Sequence, residues 1–421
     1  MPAMYGRAMR TMSVDRSHGP LPRFHAPSTY FPRWSVTEVQ AYNSGMTTLR
    51  IPPSELYAWL RLSLEPNLNA TTARLLLANF GLPHHIYDQS ISNLSRYIDT
   101  SLATQLRTSP SAELEQQLHY TLEWAQASDQ HILCLADPNY PSVLLELPDP
   151  PLVLYAKGDL TQFKHSALAI VGSRNATPPG VETASHFAHF LADQGWCIIS
   201  GLATGIDTAA HQGALAAQQT NSTIAVLGTG MDLVYPARNR DLAHKIAAHG
   251  LLLSEFPLKT KALPYNFVRR NRLVAALSHG VIVVEAALKS GSLTTARLAV
   301  EIGREVYAIP GSIHSPLHKG CHQLIRQGAK LVESAEHILE ELGHHIRPST
   351  KSTLPLDLHP IPDHLPTEQQ QVLHAMGFDP ASPDLIQQRS GLSTAVIGGA
   401  LTQLELLDLV VAQGDGRYLR T

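Results

Sequence analysis

Between residues 167 and 332, short apolar runs alternate with longer segments in which apolar residues recur every three or four positions. A short apolar run predicts a buried strand, and the longer spacing predicts a helix with one buried face. The predicted strands are 167–171, 196–200, 223–227, 251–253, 281–284, 305–309 and 330–332. Strands that alternate with helices indicate a parallel sheet covered by helices on both faces. We therefore predict an α/β fold with an extended Rossmann-like, doubly wound parallel sheet.

The segments before the sheet differ from it in pattern. Residues 51–135 carry only helical spacing, which predicts a small helical domain ahead of a sheet domain of residues 136–343. Residues 1–50 are rich in Pro, Ser and Arg and show no periodicity, so we predict a disordered extension there. Met46, just ahead of the first helical pattern, is an alternative start for the compact protein.

One stretch of the helical domain bears on DNA binding. The sequence ARLLLANFG at 73–81 resembles the helix after the hairpin of a helix-hairpin-helix, whose glycines offer backbone N–H groups to a DNA phosphate. Asn67, Leu68 and Asn69 stand where those glycines are expected. We therefore favour a packing or partner role for this domain over a phosphate contact.

The last part of the chain has a different pattern again. Residues 344–365 are rich in Pro, His, Ser and Thr, which predicts a linker, and residues 366–421 show three helical patterns and then two short strands. That order is typical of a winged helix. The helix that begins near Ser393 contains no Lys or Arg, and acids outnumber arginines over this whole domain. Because neutralising phosphates supplies most of the affinity for DNA, we favour a protein-contact or regulatory role over the reading of duplex DNA.

The overall charge limits how the chain could bind a nucleic acid. Its 421 residues are 44% apolar, which is enough for a full core in about three domains. Lys and Arg number 32 against 35 Asp and Glu, so the net charge is −3 and binding must rely on a local cluster. Residues 256–284 contain no acid and include Lys259, Lys261, Arg269, Arg270 and Arg272. A solvated surface run is the alternative explanation of this cluster.

The cysteines and the apolar runs exclude other classes of protein. Cys134, Cys197 and Cys321 lie far apart with no CxxC pair, which argues against a zinc site or a disulfide framework. The apolar runs are too short to cross a bilayer, and the N-terminus lacks the apolar core of a secretion signal. We predict a cytoplasmic protein with no bound metal and no membrane partner.

Several of the predicted strands end in loops rich in glycine, serine and arginine. A parallel sheet brings the loops after its strands to one edge, where helix N-termini present unpaired N–H groups to an anion. An arginine guanidinium matches a phosphate with two parallel hydrogen bonds, although pairing with a nearby carboxylate such as Glu255 or Glu285 is the alternative. The predicted phosphate-binding residues are Gly172, Ser173, Arg174, Gly201, Arg238, Arg240, Arg269, Arg270, Arg272, Ser290, Gly291, Ser292 and Thr294.

The same loops lack the residues that catalysis needs. Gly228 and Gly230 form an incomplete dinucleotide fingerprint, and the chain contains no Walker loop, GxSxG elbow or Ser-His-Asp order. Asp207 and His211 lie four apart on a predicted helix, where a helix cap and a local hydrogen bond are favoured over a metal pair without a third ligand. Ala296 stands where nucleotide-cleaving sheets of this type carry a glutamate. We therefore predict binding, with no catalytic residue and no cofactor. A nucleotide-binding or nucleotide-hydrolysing enzyme and a nucleotide sensor are the alternatives.

The order and the sequences of the strand-to-helix loops resemble those of the DprA/Smf family, DNA-processing proteins that bind single-stranded DNA during natural transformation. The matching segments are AIVGSR at 169–174, IISGLATGID at 198–207, AVLGTGMDLVYP at 225–236, RRNR at 269–272, VIVVEAALKSGSLTTA at 281–296 and AIPGS at 308–312. The resemblance implies a non-enzymatic protein that binds single-stranded DNA, protects incoming DNA and loads the RecA recombinase. It also implies a contact between Arg174 and the DNA backbone, and a homodimer formed through residues 320–331. Core packing is the alternative for Leu324 and Ile325, so His322 and Leu331 are the surface candidates for the interface.

This chain departs from the family pattern in two loops. Ala237 follows the Tyr-Pro pair where the family usually has a lysine, and Arg238 is the nearest substitute. Val268 replaces a common proline, and Arg269 adds a charge beside the RNR of the family, which is Arg270, Asn271 and Arg272. We expect Arg270 to contact DNA. For Arg272 a DNA contact and a structural pairing with a buried carboxylate are both open.

Overall fold

The computed structural model describes residues 51–217, 223–343, 365–377, 380–413 and 416–420. The predicted extension of residues 1–50, with Met46, and the predicted linker as far as residue 364 lie outside this described part.

Six helices form the segment ahead of the sheet: α1 Pro53–Leu64, α2 Ala70–Phe80, α3 Pro83–Asp88, α4 Ile91–Leu94, α5 Thr100–Arg107 and α6 Ala112–Trp124. Asn69, one of the residues in place of a hairpin glycine, caps α2 by accepting the Thr72 N–H at 2.8 Å. The Asn69 side chain therefore acts as a helix N-cap.

Nine strands form one sheet: β1 Gln130–Cys134, β2 Val153–Gly158, β3 Ala167–Val171, β4 Cys197–Ser200, β5 Thr223–Val226, β6 Leu251–Ser254, β7 Gly280–Val283, β8 Glu305–Ala308 and β9 Lys330–Leu331. They lie in the order β1-β2-β6-β5-β4-β3-β7-β8-β9. The strands from β6 to β9 in this order are all parallel, and β2 is antiparallel to both of its neighbours, β1 and β6. The predicted α/β fold with a parallel sheet is confirmed.

Helices cover both faces of the sheet: α7 Pro178–Asp193, α8 Ile206–Ala216, α9 Arg240–His249, α10 Pro264–Ala276, α11 Gly291–Glu301, α12 Lys319–Arg326 and α13 Ala335–Glu341. Alternate residues of β3 point to opposite faces, as in any pleated strand. Ala169 and Val171 pack into one core with α10 and α11, whereas Leu168 and Ile170 pack into another with α7 and α8.

The first two strands are not among the seven strands predicted from the apolar runs. β1 falls within the predicted helical domain. β2 falls within residues 139–160, whose prolines predict an extended linker or an edge strand. β2 is instead internal, because it pairs with β1 on one side and β6 on the other. The prolines that suggested a linker, Pro148, Pro150 and Pro151, all precede β2, so its ladder keeps every N–H donor.

The helical segment and the sheet share one hydrophobic core. Trp59 of α1 and Leu118 of α6 belong to the same buried cluster as Tyr155 of β2 and Leu252 of β6. A polar contact adds to this packing, because Gln117 Nε2 donates to the Leu258 carbonyl at 3.2 Å. The helical segment is therefore built onto the first strands of the sheet.

The C-terminal domain has the predicted winged-helix order: α14 Thr367–Met376, α15 Pro383–Ser390, α16 Thr394–Leu406, β10 Val410–Ala412 and β11 Tyr418–Arg420. Its own core includes Val372, Ile386, Leu401 and Leu404, and β10 pairs antiparallel with β11. Across the described residues, no helix combines the length and the apolar character that a membrane span requires.

Candidate nucleic-acid interface

Exposed cations collect where the parallel strands β3, β5, β6 and β7 end. Since these strands point the same way, the loops that follow them share one side of the sheet, which is called the loop edge here. The exposed cations in these loops and at the helix start that follows β5 are Arg174, Arg238, Arg240, Lys259, Lys261 and Lys289. Lys289 was not predicted, because the acid-free run that drew attention to the basic cluster ends before Glu285. Its position between a strand and a helix start is the signal that would have found it.

The loop that carries Arg174 is fixed by the loop after β4. The Ile206 N–H donates to the Ser173 carbonyl at 3.1 Å, and the Thr204 hydroxyl donates to the Arg174 carbonyl at 2.9 Å. Gly205 has φ +76°, and a Cβ there would overlap the Ser173 carbonyl oxygen. The Arg174 guanidinium itself is exposed and lies 5.8 Å from the centre of the Phe267 ring. The backbone is thus held while the charge faces solvent.

Arg270, which was predicted to contact DNA, is a buried residue. Only 4% of the residue is exposed. Its Nη1 donates to the Gly201 carbonyl at 2.7 Å and also to the Val226 carbonyl, and so ties the end of β4 to the end of β5. Burial lowers the pKa of Arg270 to about 10, which still leaves it charged near neutral pH. The prediction of a direct DNA contact disagrees with this burial.

Arg272 takes the structural alternative that was left open. Its Nη2 lies 2.5 Å from Glu255 Oε2, and its Nη1 donates to the Asp149 carbonyl at 3.0 Å. Arg269 pairs with the same Glu255 oxygen at 3.2 Å, but 49% of its side chain is exposed. Burial raises the pKa of Glu255, and the two arginines oppose that rise. Of the arginines in the predicted basic cluster, Arg270 and Arg272 are therefore buried, whereas Arg269 is exposed.

The Gly201 loop is held by polar groups from within the protein. Asp207 accepts the N–H groups of Gly201 at 3.1 Å and Ala203 at 3.3 Å, and its pKa is raised by burial. Asn239 Nδ2 donates to the Leu202 carbonyl at 2.9 Å. A Cβ on Gly201 would overlap the Arg270 guanidinium. Gly201 thus makes room for a buried side chain, and its amide is already bonded.

The helix start at α11 is more open. Ser290 caps it by accepting the Ser292 N–H at 3.3 Å, and the two hydroxyl oxygens are 2.6 Å apart. A Cβ on the exposed Gly291 would have no atom within 4 Å. Thr294 is half-buried in the same first turn. Of the predicted anion-binding loops, this one offers an accessible backbone and hydroxyls at a helix N-terminus.

His211, on α8, is fully buried. Its Nδ1 lies 2.7 Å from Thr223 Oγ1, and because that hydroxyl donates to the Ile198 carbonyl, the ring nitrogen must be the donor. Burial, and then the charge of Arg270, lower the pKa of His211 to about 3. This is the local hydrogen bond that was favoured over a metal pair with Asp207.

We expect the stability to fall as the pH drops below about 6.5, the usual pKa of an unfolded histidine. Below that value the unfolded chain binds a proton that the folded chain refuses until about pH 3, so the free energy of unfolding falls by up to about 1.4 kcal/mol per pH unit. His211→Asn keeps an N–H donor and should reduce this slope in urea unfolding between about pH 7 and pH 5. His244→Asn, at an exposed position, should keep the original slope. Equal slopes in all three proteins would contradict the assignment.

The two predicted dimer residues lie near the far edge of the sheet. Leu331 is on the edge strand β9 and is 49% exposed. His322, on α12, is partly buried, and its Nε2 lies 3.0 Å from the Gly311 carbonyl oxygen. Leu331 is therefore the more accessible of the pair.

A mostly parallel sheet with helices on both faces, followed by a winged helix, defines a Rossmann-like protein with a C-terminal winged-helix domain. Family models agree with this class: the model for DNA recombination-mediator protein A matches residues 131–343, and the DprA winged helix domain matches residues 357–416. The chain belongs to the DprA/Smf family.

Individual relatives place the chain in the same family. The DNA processing protein DprA of Bacillus subtilis (strain 168) is 41% identical over 260 residues, 61% of this chain and 87% of that protein. Protein Smf of Escherichia coli (strain K12) is 38% identical over 313 residues, 71% of this chain and 80% of that protein. The X-ray structure of DprA from Streptococcus pneumoniae covers 70% of this chain and 99% of its own, with 35% identity and a TM-score of 0.59.

Proposed function

We propose that this protein binds single-stranded DNA along the loop edge and carries out no catalysis. The observation that carries the proposal is the convergence of exposed cations, Arg174 among them, in the loops after parallel strands. Cations on loops contact the phosphate backbone, which carries no sequence information, so binding should be largely independent of base sequence. Membership of a family of DNA-processing proteins supports DNA as the ligand.

The chemistry of the loop edge supports binding over hydrolysis. At the start of α11, buried Ala296 occupies the place where a hydrolase of this sheet type needs a carboxylate. The next side chain, Arg297, is paired with Glu301 at 3.7 Å. The buried carboxylates Asp207 and Glu255 are engaged by backbone amides and by arginines, respectively. A carboxylate that acts as a general acid or base must be free to reach the substrate, and these two carboxylates are already engaged.

Arg174→Ala tests the proposal directly. We expect it to weaken binding of a single-stranded oligonucleotide and to flatten the dependence of log K on log salt by about one unit, because one phosphate contact is lost. Fluorescence anisotropy at several salt concentrations measures both quantities. Arg96→Ala, which removes an exposed arginine of the helical segment, should leave the slope unchanged. A folded Arg174→Ala protein with the original affinity and slope would refute the proposed interface.

The family resemblance supports the wider role. We infer that the protein protects incoming single-stranded DNA and loads the RecA recombinase onto it during natural transformation, acting as a homodimer through the surface around Leu331. Two linked DNA sites raise the local concentration of each for one strand, so dimer formation should strengthen both binding and loading.

The winged helix is proposed to contact a protein partner. Leu406, Leu407 and Val411 are apolar yet exposed to 80%, 54% and 41%, respectively. Exposed apolar side chains of this size are more suited to a protein surface than to a phosphate backbone. The absence of Lys and Arg from α16 favours the same conclusion.

A further inference from the structure

A buried carboxylate lies at the helix start where Rossmann-like proteins seat a ligand phosphate, the first helix after a central strand. Glu285 follows β7 and is 1% exposed. Its Oε1 lies 2.5 Å from the Thr177 hydroxyl, and its Oε2 accepts the Thr177 N–H at 3.0 Å. Thr177 is the N-cap of α7, the helix that follows β3 and Arg174.

The first turn of α7 has no amide left for an external anion. Pro178 and Pro179 carry no N–H, the Gly180 N–H donates to the Thr177 hydroxyl at 3.1 Å, and the Val181 N–H donates to the Thr177 carbonyl at 2.9 Å. A Cβ on Gly180 would lie 2.5 to 2.8 Å from the atoms of the Glu285 carboxyl group. The carboxylate therefore rests directly on the backbone of the helix start, at the end that favours a negative charge.

The loop after β4 repeats this arrangement. Asp207 accepts the N–H groups of Gly201 and Ala203 in the strand-to-helix loop that would otherwise face an anion. At α11, by contrast, the cap is the neutral hydroxyl of Ser290. The chain's own carboxylates thus occupy two of these loops and leave the third capped by an uncharged group.

We propose that Glu285 is an internal anion that closes the α7 N-terminus to phosphate, and so excludes mononucleotides and dinucleotides from the position they take in related sheets. The protein would then discriminate a DNA backbone, bound at exposed cations, from a free nucleotide bound within the loop edge. This inference concerns ligand exclusion, and its test needs no DNA. Its failure is therefore distinguishable from the failure of the proposed function.

Chemical rescue tests the proposal. Glu285→Ala removes the carboxylate and leaves space, and Glu285→Gln removes the charge but fills the space. Melting temperatures are measured in inorganic phosphate and in chloride at equal ionic strength. We expect phosphate to raise the melting temperature of Glu285→Ala by about 3 °C more than that of the unaltered protein, at about tenfold its dissociation constant. Glu285→Gln and the exposed control Glu301→Ala should show no such excess.

A second titration uses AMP. Glu285→Ala should bind it about tenfold more tightly than the unaltered protein, because a like charge no longer opposes the phosphate. If Glu285→Ala is unfolded in chloride, its refolding in phosphate, followed by circular dichroism, serves as the readout. The proposal is overturned if all proteins respond equally to phosphate, if Glu285→Gln gains as much as Glu285→Ala, or if AMP affinity is unchanged.

Discussion

Arg270→Met is expected to lower the free energy of unfolding by about 3–5 kcal/mol, the usual loss when one member of a buried charged group is removed. The substitution leaves the carbonyls of Gly201 and Val226 without their donor. It also removes the positive charge that opposes the burial-raised pKa of Asp207. The ends of β4 and β5 and the Gly201 loop would lose the side chain that connects them. Urea unfolding followed by circular dichroism measures the loss.

Arg269→Met is the matched control for that experiment. It removes a neighbouring arginine of the same helix whose side chain is 49% exposed and which shares Glu255 with Arg272. A half-exposed ion pair contributes less than about 1 kcal/mol, so this variant should stay close to the original stability. If Arg270→Met instead kept full stability but bound DNA more weakly and with a flatter salt dependence, Arg270 would be the DNA contact that the sequence predicted.

Leu331→Glu should leave the protein monomeric, where the unaltered chain is expected to form a homodimer. Leu331 lies on β9, the last strand of the sheet, and a strand edge is a natural pairing surface. In a two-fold interface each substitution appears twice, so two carboxylates would face one another in a desolvated contact. The dimer dissociation constant should rise by about 100-fold or more.

Light scattering coupled to size exclusion measures that change in mass. Val300→Glu is the matched control, because it places the same charge at an exposed apolar position on α11, 64% exposed. It should remain dimeric. If Leu331→Glu is still a dimer, the interface does not lie at β9. If the unaltered chain is a monomer at micromolar concentration, the proposed homodimer is wrong.

Apolar runs predict the central parallel strands well because β3 to β7 are short, buried at every position and bounded by loop residues. β3, with the sequence ALAIV, is buried at every position. β1 and β2 escape this criterion for a physical reason. β1 is only partly buried at its start, and β2 follows a group of prolines that suggests a linker.

Which way an arginine points could not be predicted from the sequence. Arg269, Arg270 and Arg272 are adjacent on α10 and have the same chemistry, yet only Arg269 is exposed. The groups that draw Arg270 inward come from other strands, and Gly201 is 69 residues away along the chain. Local pattern identifies the loop edge, whereas long-range hydrogen bonds decide which of its cations reach solvent.

The hydrophobic core that the helical segment shares with the sheet determines which parts of the chain can fold separately. The family model begins at residue 131, inside β1, which suggests a boundary between two exchangeable modules. Physically there is none: deleting the helices would expose Tyr155 and Leu252 to water. Residues 51–343 should therefore fold and unfold as one unit. Within the described residues, the winged helix has a core of its own and should therefore tolerate exchange by itself.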